Sequence, residues 1–279
     1  MGNIIDHGPE GTGEGRFDAF LWQNGQLIDI ALGTTDGGVP ASATGINNRG
    51  DIVGSYDAGG VIKLPPGYQS PGYGFSHAYV YRNGLLTDIG TLGGFFSNGV
   101  GINNAGQIVG IATEVPGYGK PYKAFLYSNG LMRSIGGSQS ASFTPEAIND
   151  NGWITGTLGT PGDAVLCIND RIISLGTLPG FVGSEGMSLN NSGIVVGNLL
   201  GNITATYTDD GTIYTDTYVG STGVFIYNGR MQNLNDLVDG GWKITAVGHI
   251  NDAGQIVATG VRPGSTITFA LLITPELGR

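Results

Sequence analysis

A ten-residue pattern that returns along the chain constrains the fold more than any other feature of the sequence. It consists of a small residue (His in one copy), an aliphatic residue, Asn, Asn or Asp, any residue, Gly, any residue, an aliphatic residue, Val or Thr, and a final Gly or Ala. Its copies are GINNRGDIVG (45–54), GINNAGQIVG (101–110), AINDNGWITG (147–156), SLNNSGIVVG (188–197) and HINDAGQIVA (249–258). Five copies in 279 residues indicate a repeat protein, in which each unit buries its apolar faces against its neighbours.

A second pattern alternates with the first and predicts a β-hairpin. Each copy is an aromatic and β-branched run, then Asn-Gly or Asn-Asp, then another apolar run. The copies are DAFLWQNGQLIDI (18–30), HAYVYRNGLLTDI (77–89), KAFLYSNGLMRSI (123–135), DAVLCINDRIISL (163–175) and GVFIYNGRMQNL (223–234). A two-residue hairpin turn needs a positive φ at both central positions, which Asn, Asp and Gly tolerate best.

The first pattern also predicts a hairpin, in which the Asn or Asp side chain caps the turn and Gly takes the left-handed position. We name its strands A and B and those of the second hairpin C and D, so that one repeat is A-B-C-D. The strand A aliphatics recur at spacings of about 41 to 61 residues, which bracket the length of a propeller blade. The sequence therefore predicts an all-β protein, a β-propeller of four-stranded antiparallel blades.

The ends of the chain bear on the number of blades. Four A-B-C-D sets run complete over 43–234, and strands A and B then come at 247–261 with a lone C-like strand at 268–274. We expect the hairpin at 18–30 to complete the last blade, so that N- and C-terminal strands close a ring of five blades. A ring of six, with a blade built partly from NIID (3–6), is the alternative. Residues 1–17 would then be an extension of a single domain, 18–279.

Composition excludes several classes of function. With 12 Lys and Arg against 22 Asp and Glu, the net charge is −10, and no basic stripe offsets it, so we expect no nucleic-acid partner. No apolar run reaches the length of a membrane span. Because the sequence has no HExxH, paired CxxC, Walker loop or GxSxG elbow, we expect no metal site and no cofactor. The oligomeric state stays open.

The two patterns together resemble a known family. HAY (77–79), KAF (123–125), DIGTLGG (88–94) and GINNAGQIVG look like the probable extracellular repeats of the HAF family, and the resemblance covers nearly the whole chain from Asp18. The segments NLNDLVDGGW (233–242) and FALLITP (269–275) are similar to the final repeat of such proteins. The resemblance implies an extracellular location. The first residues, MGNIIDHGPEGTGEG, show no secretion signal, so a cytoplasmic location is the alternative.

Long connections between strands B and C predict a binding face. They lie at 58–76, 114–122 and 201–221 and hold seven of the twelve tyrosines, whereas the A-B and C-D turns are short. An aromatic rim around a central funnel suits a small hydrophobic molecule or a glycan. The residues predicted to bind the ligand are Thr44, Tyr73, Phe95, Phe96, Asn98, Tyr118, Tyr214 and Trp242.

The starts of the A strands differ between repeats, and titratable residues stand where other copies have small or neutral ones. These are Glu146, Glu185 and His249. If they met at the mouth of the funnel they would offer acid–base chemistry, so an enzyme without organic cofactor (a cyclase, lyase or hydrolase) is one alternative function. A protein-interaction scaffold is the other, because a fold does not by itself choose a function.

Overall fold

The structure is a computed structural model that describes residues 2–6, 16–30, 41–58, 76–117, 119–209 and 212–276. Apart from two short 3-10 turns at Gly137–Ser142 and Leu234–Asp236, the regular structure of these residues is β-strand. The all-β prediction is therefore confirmed. The chain groups into two compact units, Met1–Ala141 and Ser142–Arg279.

The first unit contains three sheets. Sheet 1 is formed by β1 (Gly2–Asp6), β2 (Arg16–Gln23) and β3 (Gln26–Asp29). Sheet 2 is formed by β4 (Ala41–Ile46), β5 (Ile52–Asp57), β6 (Ser76–Arg82) and β7 (Leu85–Asp88). Sheet 3 is formed by β8 (Ser97–Ile102), β9 (Ile108–Thr113), β10 (Tyr122–Ser128) and β11 (Leu131–Ser134).

The second unit also contains three sheets. Sheet 4 is formed by β12 (Phe143–Ile148), β13 (Ile154–Gly159), β14 (Gly162–Ile168) and β15 (Arg171–Gly176). Sheet 5 is formed by β16 (Gly183–Leu189), β17 (Val195–Asp209), β18 (Thr212–Tyr227) and β19 (Met231–Asn233). Sheet 6 is formed by β20 (Lys243–Ile250), β21 (Ile256–Val261) and β22 (Phe269–Ile273).

Sheets 2 to 5 follow the predicted A-B-C-D order. In each of them the strands are hydrogen-bonded in the order in which they occur along the chain, and every pair is antiparallel. The four complete repeats predicted between strands at 43 and 234 are thus confirmed as four four-stranded sheets. Sheet 6 contains strands A, B and C, also as predicted.

The predicted pairing of the chain ends is wrong. The β2–β3 hairpin pairs with β1, with Ile5 opposite Phe17, and forms sheet 1 rather than completing sheet 6. The strand β22 pairs with β21. Closing the short connection between β1 and β2 costs less chain entropy than joining the two ends of the chain. The segment Asn3–Asp6 therefore lies in one sheet with the β2–β3 hairpin.

The A-B turns have the predicted geometry. The Oδ1 atom of Asn47 accepts hydrogen bonds from the main-chain N–H groups of Arg49 and Asp51, both at 3.0 Å. Gly50 has a φ of 80°, a left-handed conformation that glycine adopts without steric cost. The equivalent glycines of the other turns share it: Gly106, Gly152, Gly193 and Gly254.

The C-D turns also follow the prediction. Asn83 and Gly84 both have positive φ, at 53° and 82°, which defines the two-residue turn expected between β6 and β7. The same holds for the pairs Asn24–Gly25, Asn129–Gly130 and Asn169–Asp170. The turn between β18 and β19 is one residue longer, because Tyr227 is the ladder partner of Met231.

A bulge interrupts strand A in each of sheets 2 to 5. The ladder between β4 and β5 shifts between Ala43 and Gly45, which leaves Thr44 as the extra residue. Bulges of this kind re-aim a side chain. The glycine of strand B is needed opposite the bulge, because a Cβ on Gly54 would overlap the carbonyl of Ser42 and touch the ring of Tyr79. The extra residues in the other sheets are Val100, Glu146 and Met187.

Successive sheets pack face to face within each unit. In the first unit, Ile52 and Tyr79 of sheet 2 are buried with Leu21 of sheet 1, and Val80 of sheet 2 is buried with Phe125 of sheet 3. In the second unit, one cluster joins sheets 4 and 5 and another joins sheets 5 and 6. Both faces of the middle sheets are therefore apolar, which is the arrangement that the strand sequences predicted.

The insertion at 201–221 is a strand ribbon and not the predicted loop. The strands β17 and β18 continue their ladder to Asp209 and Thr212, with Tyr207 opposite Tyr214. The segment alternates Thr, Tyr and aliphatic residues, which have high β-propensity. The residues 215–219 on its second strand are exposed to solvent.

Candidate functional site

Thr44, the extra residue of the bulge in sheet 2, was predicted to bind a ligand, and in the structure its side chain contacts the next sheet. The hydroxyl of Thr44 lies 2.7 Å from the carbonyl oxygen of Gly99 on β8 and 3.2 Å from that of Val53. It thus ties sheet 2 to sheet 3. The predicted role of Thr44 as a ligand-binding residue is untested, but its hydroxyl already has protein partners.

The same position in sheet 4 carries Glu146, whose carboxyl is partly buried. Burial, together with the negative charge of Glu185, raises the pKa of Glu146 to about 6. Glu185 lies on β16 in the neighbouring sheet. The structure thus brings two of the three predicted acid–base residues close enough for one to perturb the other.

His249 does not join this pair in the described contacts. It follows Gly248 in the irregular part of β20, where the ladder with β21 shifts between Val247 and Ile250, and its side chain is exposed. Glu185 is the charged neighbour that acts on Glu146. Of the three predicted residues, Glu146 and Glu185 are thus linked by the structure, and the role of His249 stays a prediction.

Among the residues that the structure describes, two asparagine side chains have a buried oxygen with no hydrogen-bond partner. They are the Oδ1 atoms of Asn98, a predicted ligand-binding residue on β8, and of Asn198 on β17. Asn198 stands directly opposite Glu185 in the ladder of sheet 5. A buried oxygen without a donor is costly, so each position would accept a hydrogen bond from an added group.

The predicted aromatic rim is described only in part. The ring of Phe96 packs against that of Tyr122, with centroids 4.9 Å apart, and the main-chain N–H of Phe95 donates to the hydroxyl of Thr113. Tyr73 and Tyr118 lie outside the described residues, as does the side chain of Tyr214. Phe95 and Phe96 thus lie directly before β8, the strand that carries Asn98.

Trp242 lines a cavity of about 570 Å³ in the second unit. The cavity lies between sheet 5 and sheet 6, beside the last strand, β22. The ring of Trp242 meets that of Phe269 edge to face, with centroids 5.7 Å apart. The other apolar residues lining it include Leu234, Val238, Ile244, Ile256, Leu271 and Ile273.

The rim of this cavity is acidic. Asp239 and Glu276 line it together with Pro275 and Thr274, and both acidic residues are exposed. An apolar interior with a few polar groups at its edge is the usual composition of a ligand site. Of the residues predicted to bind a ligand, Trp242 is the one that the structure places on this cavity.

The sequence reasoning missed the remaining residues of the cavity. They come from four separate segments, and those that belong to the repeat patterns, such as Leu234 and Ile256, carry no signal of a ligand site. One signal was present, because Pro275 follows the C-like strand at 268–274 in place of the Asn-Gly or Asn-Asp turn of the other copies.

A second cluster that the sequence did not predict lies in sheet 2. The Nδ1 atom of His77 lies 2.9 Å from the Oδ2 atom of Asp88, which also accepts a hydrogen bond from the hydroxyl of Tyr56 at 2.9 Å. Burial by itself would raise the pKa of Asp88, but the hydrogen bonds from His77, Gly90 and Tyr56 outweigh burial and lower it. The cluster joins the start of strand C to the end of strand D. In sheet 4 the equivalent positions are joined by Ser174 and Asp163.

No group of three or more His, Cys, Asp or Glu side chains stands in a metal-binding arrangement within the described ranges. Over the same ranges, no helix has the length and hydropathy needed to cross a membrane.

A scan against models of protein families finds no match to this chain, and a search of the curated proteins finds none either. Function has to be inferred from the chain's own side chains.

Proposed function

We propose that this chain is a ligand-binding repeat protein that holds an apolar group in the cavity beside Trp242. The observation that carries the proposal is the size and composition of that cavity, about 570 Å³ with a mostly aliphatic and aromatic lining. Cavities of roughly 300 to 1,000 Å³ enclose small organic ligands. A tryptophan at the wall offers a large apolar face at little cost in side-chain entropy.

The proposal includes the architecture that the repeats favour. The sheets are blades of a β-propeller, of the kind that the HAF family resemblance implies, and their A-B-C-D order and face-to-face packing support this. The six separate sheets formed by the described residues favour six blades over five. Small-angle X-ray scattering tests the architecture, because a propeller predicts the scattering curve of a compact disc and an open row of sheets predicts an elongated one.

The binding experiment uses a neutral apolar fluorophore, N-phenyl-1-naphthylamine, whose emission rises on transfer from water. We expect saturable binding to the intact chain. Trp242→Ala removes one wall of the cavity and should weaken binding about tenfold, equivalent to about 1.4 kcal/mol. Val238→Asp places a charge in the lining and should weaken it at least as much.

The matched control for the tryptophan is Trp22→Ala. Trp22 lies on β2 in the other unit and is 60% exposed, so its loss should leave the affinity unchanged. Equal affinities of Trp242→Ala, Val238→Asp and the wild-type chain would rule out the cavity as the binding site.

The carboxyl pair supports acid–base catalysis as a second candidate function. A general acid at neutral pH needs a raised pKa, and Glu146 has one at about 6 beside a second carboxylate, Glu185. A screen of nitrophenyl glycosides and esters tests this, with the expectation that turnover depends on a group titrating near pH 6. Glu146→Gln and Glu185→Gln should each abolish it. Absence of turnover, or turnover that survives both substitutions, would count against the enzyme.

A further inference from the structure

We propose that a second cavity, on sheet 5, binds a small zwitterion, namely an α-amino acid with an apolar side chain. The cavity has a volume of about 330 Å³, at the lower end of the range for small-molecule sites. Its lining combines charged residues with apolar ones such as Phe181 and Met231. It shares only Leu237 with the cavity beside Trp242, so binding there goes beyond the proposed function.

The whole lining of the second cavity comes from the second unit. It is formed by the crossover from sheet 4 to sheet 5, the turn before β19, β19 itself, and the 3-10 turn at Leu234–Asp236 with the residue after it. Sheet 5 is the middle sheet of this unit, because one cluster packs it against sheet 4 and another packs it against sheet 6. The shape of the cavity is therefore determined within one unit.

A glycine in sheet 5 replaces a residue that links strands C and D in sheet 2. His77 at the start of β6 binds Asp88 at the end of β7. The ladders give Gly223 and Asn233 as the equivalent residues of sheet 5, and glycine has no side chain to reach across. Asn233 instead caps the 3-10 turn, because its side chain accepts from the main-chain N–H of Asn235 at 3.0 Å.

The ring of Phe181 covers this glycine. A Cβ on Gly223 would stand 2.9 Å from the ring, which is too close for two carbon atoms, so the glycine makes room for the phenylalanine. The main-chain N–H of Phe181 donates to the carbonyl of Leu178 at 3.2 Å and holds the crossover in a turn. Together with Leu178 and Met231, the ring gives the second cavity an apolar wall.

Two opposite charges stand on this cavity without pairing with each other. Arg230 directly precedes β19, and Asp236 ends the 3-10 turn. Both line the cavity and are exposed. None of the ion pairs among the described residues includes either of them. The cavity thus offers one cationic and one anionic group, each with free hydrogen-bonding capacity.

A zwitterion pairs with both groups at once. The guanidinium of Arg230 presents parallel N–H donors that match a carboxylate, and the carboxylate of Asp236 accepts hydrogen bonds from an ammonium group. An α-amino acid carries both groups on one carbon atom, which leaves its side chain to contact Phe181. A simple anion or a simple cation would pair with only one of the two charges.

Three ligands of similar shape test this recognition on the full chain. They are L-phenylalanine, hydrocinnamate, which lacks the ammonium group, and phenethylamine, which lacks the carboxylate. Saturation-transfer NMR titration measures their affinities. We expect L-phenylalanine to bind with a dissociation constant of about 1 mM, as its size allows. Each of the other two should bind about three- to fivefold more weakly, which is the range for one partly exposed charge interaction.

Two variants assign each charge to its partner. Arg230→Gln should weaken L-phenylalanine and hydrocinnamate about three- to fivefold and should not weaken phenethylamine. Asp236→Asn should weaken L-phenylalanine and phenethylamine by a similar factor and should not weaken hydrocinnamate. The matched control is Arg171→Gln, because Arg171 is an exposed arginine at the start of β15; it should leave all three affinities unchanged. Urea unfolding shows whether each variant is folded.

The outcomes separate this site from the cavity beside Trp242. If the neutral fluorophore binds and L-phenylalanine does not, the zwitterion site is wrong while the proposed function stands. If L-phenylalanine binds with the expected pattern and the fluorophore does not, the proposed function is wrong while the zwitterion site stands. An affinity for L-phenylalanine that matches that of either analogue, or that survives both substitutions, overturns the zwitterion site.

Discussion

The side-chain Nδ2 atom of Asn149 donates a hydrogen bond to the main-chain carbonyl of Asn190, 2.9 Å away in the next repeat. The Oδ1 atom of the same Asn149 caps its own turn by accepting from the N–H groups of Asn151 and Trp153. The side chain therefore serves two turns at once. The equivalent bonds run from Asn47 to Asn103 and from Asn190 to Asn251.

The second residue of the motif completes the link between repeats. The Oδ1 atom of Asn191 accepts from the N–H of Asp150, and that of Asp252 accepts from the N–H of Asn191. This second position needs only a hydrogen-bond acceptor, which explains why some copies have Asn and others have Asp. The first position needs a donor and an acceptor, and it is Asn in every copy.

This division of roles predicts unequal effects of two chemically identical substitutions. Asn149→Asp keeps the turn acceptor and replaces the donor by a charge facing a carbonyl, so it should lower the free energy of unfolding by about 1 to 3 kcal/mol. Asn104→Asp keeps the acceptor that receives the N–H of Asn48 at 2.8 Å and should change it by less than about 0.5 kcal/mol. Urea unfolding measures both, and equal losses would contradict the assignment.

We expect Asp51 to stabilise the fold at neutral pH and to lose this effect in acid. Its side chain is 5% exposed and is bound by Arg82 at 2.9 Å and by Arg49 at 2.7 Å. Burial by itself would raise the pKa of Asp51, but hydrogen bonds from the two arginines and Asn47 outweigh burial and hold the pKa well below its usual range. A carboxyl with a depressed pKa stabilises the fold above its unfolded pKa of 3.8, and this contribution is lost as the pH falls through the folded value.

Asp51→Asn should therefore lower the free energy of unfolding by about 1 to 3 kcal/mol at pH 7, and the difference from the wild-type chain should shrink below pH 4. Urea unfolding at several pH values checks this. Asp216→Asn, on the exposed ribbon, is the control and should have little effect. The prediction fails if the variant and the wild-type chain have the same stability at pH 7.

We expect Glu146 to have the opposite effect on how the stability of the fold depends on pH. Its pKa is raised from 4.5 to about 6 by burial and by the charge of Glu185, so the stability that it contributes is full below pH 4.5 and is lost as the pH rises through 6. Glu146→Gln should stabilise the chain at pH 8 and leave it unchanged at pH 4. Because the carboxyl is partly exposed, solvent screening limits the gain to about 1 kcal/mol.

Carbon-detected NMR titration measures the pKa of Glu146 directly. In Glu185→Gln the charge of the neighbour is gone, so the pKa of Glu146 should move down toward 4.5. Glu276→Gln changes an exposed carboxyl that does not act on the pKa of Glu146 and serves as the control. A pKa that does not move in Glu185→Gln would show that the two carboxyls are not coupled.

We expect the strand ribbon at 201–221 to tolerate deletion. Leu200 is buried, whereas residues 215–219 are exposed, so the core ends where the ribbon leaves sheet 5. Because Gly201 stands opposite Gly220, residues 202–219 can be replaced by Asn-Gly, which forms a two-residue turn. We expect the free energy of unfolding to change by less than about 1 kcal/mol. A collapse of the cooperative transition would show that the ribbon belongs to the core.

Local signals predicted local structure well. Asn83-Gly84 predicted a two-residue turn, and Asn47 with Gly50 predicted a turn capped by a side chain. Both predictions depend on backbone preferences within a few residues. The strand order within sheets 2 to 5 followed from the same repeats. The ribbon at 201–221 was misread as a loop, since its many polar threonines concealed a strand pattern.

The candidate site was less predictable, because its members come from distant segments. Sequence variation between repeats pointed to Glu146 and Glu185, which lie near each other, and also to His249, which has no described contact with them. Trp242 was predicted to line a central funnel, and the structure places it on a cavity beside β22. Side-chain neighbours of this kind depend on how sheets pack, and a strand's own sequence does not encode which sheet it faces.

The sequence by itself determined that this is an all-β repeat protein of antiparallel hairpins, because turn chemistry and strand periodicity are properties of short segments. Only the tertiary structure decided that the β2–β3 hairpin pairs with β1, that Asn149 links its turn to the next, and that Trp242 lines a cavity beside β22. Those outcomes depend on which apolar faces pack together and which main-chain groups form hydrogen bonds. The segments that provide them are far apart in the chain, so the sequence of one segment does not determine its partner.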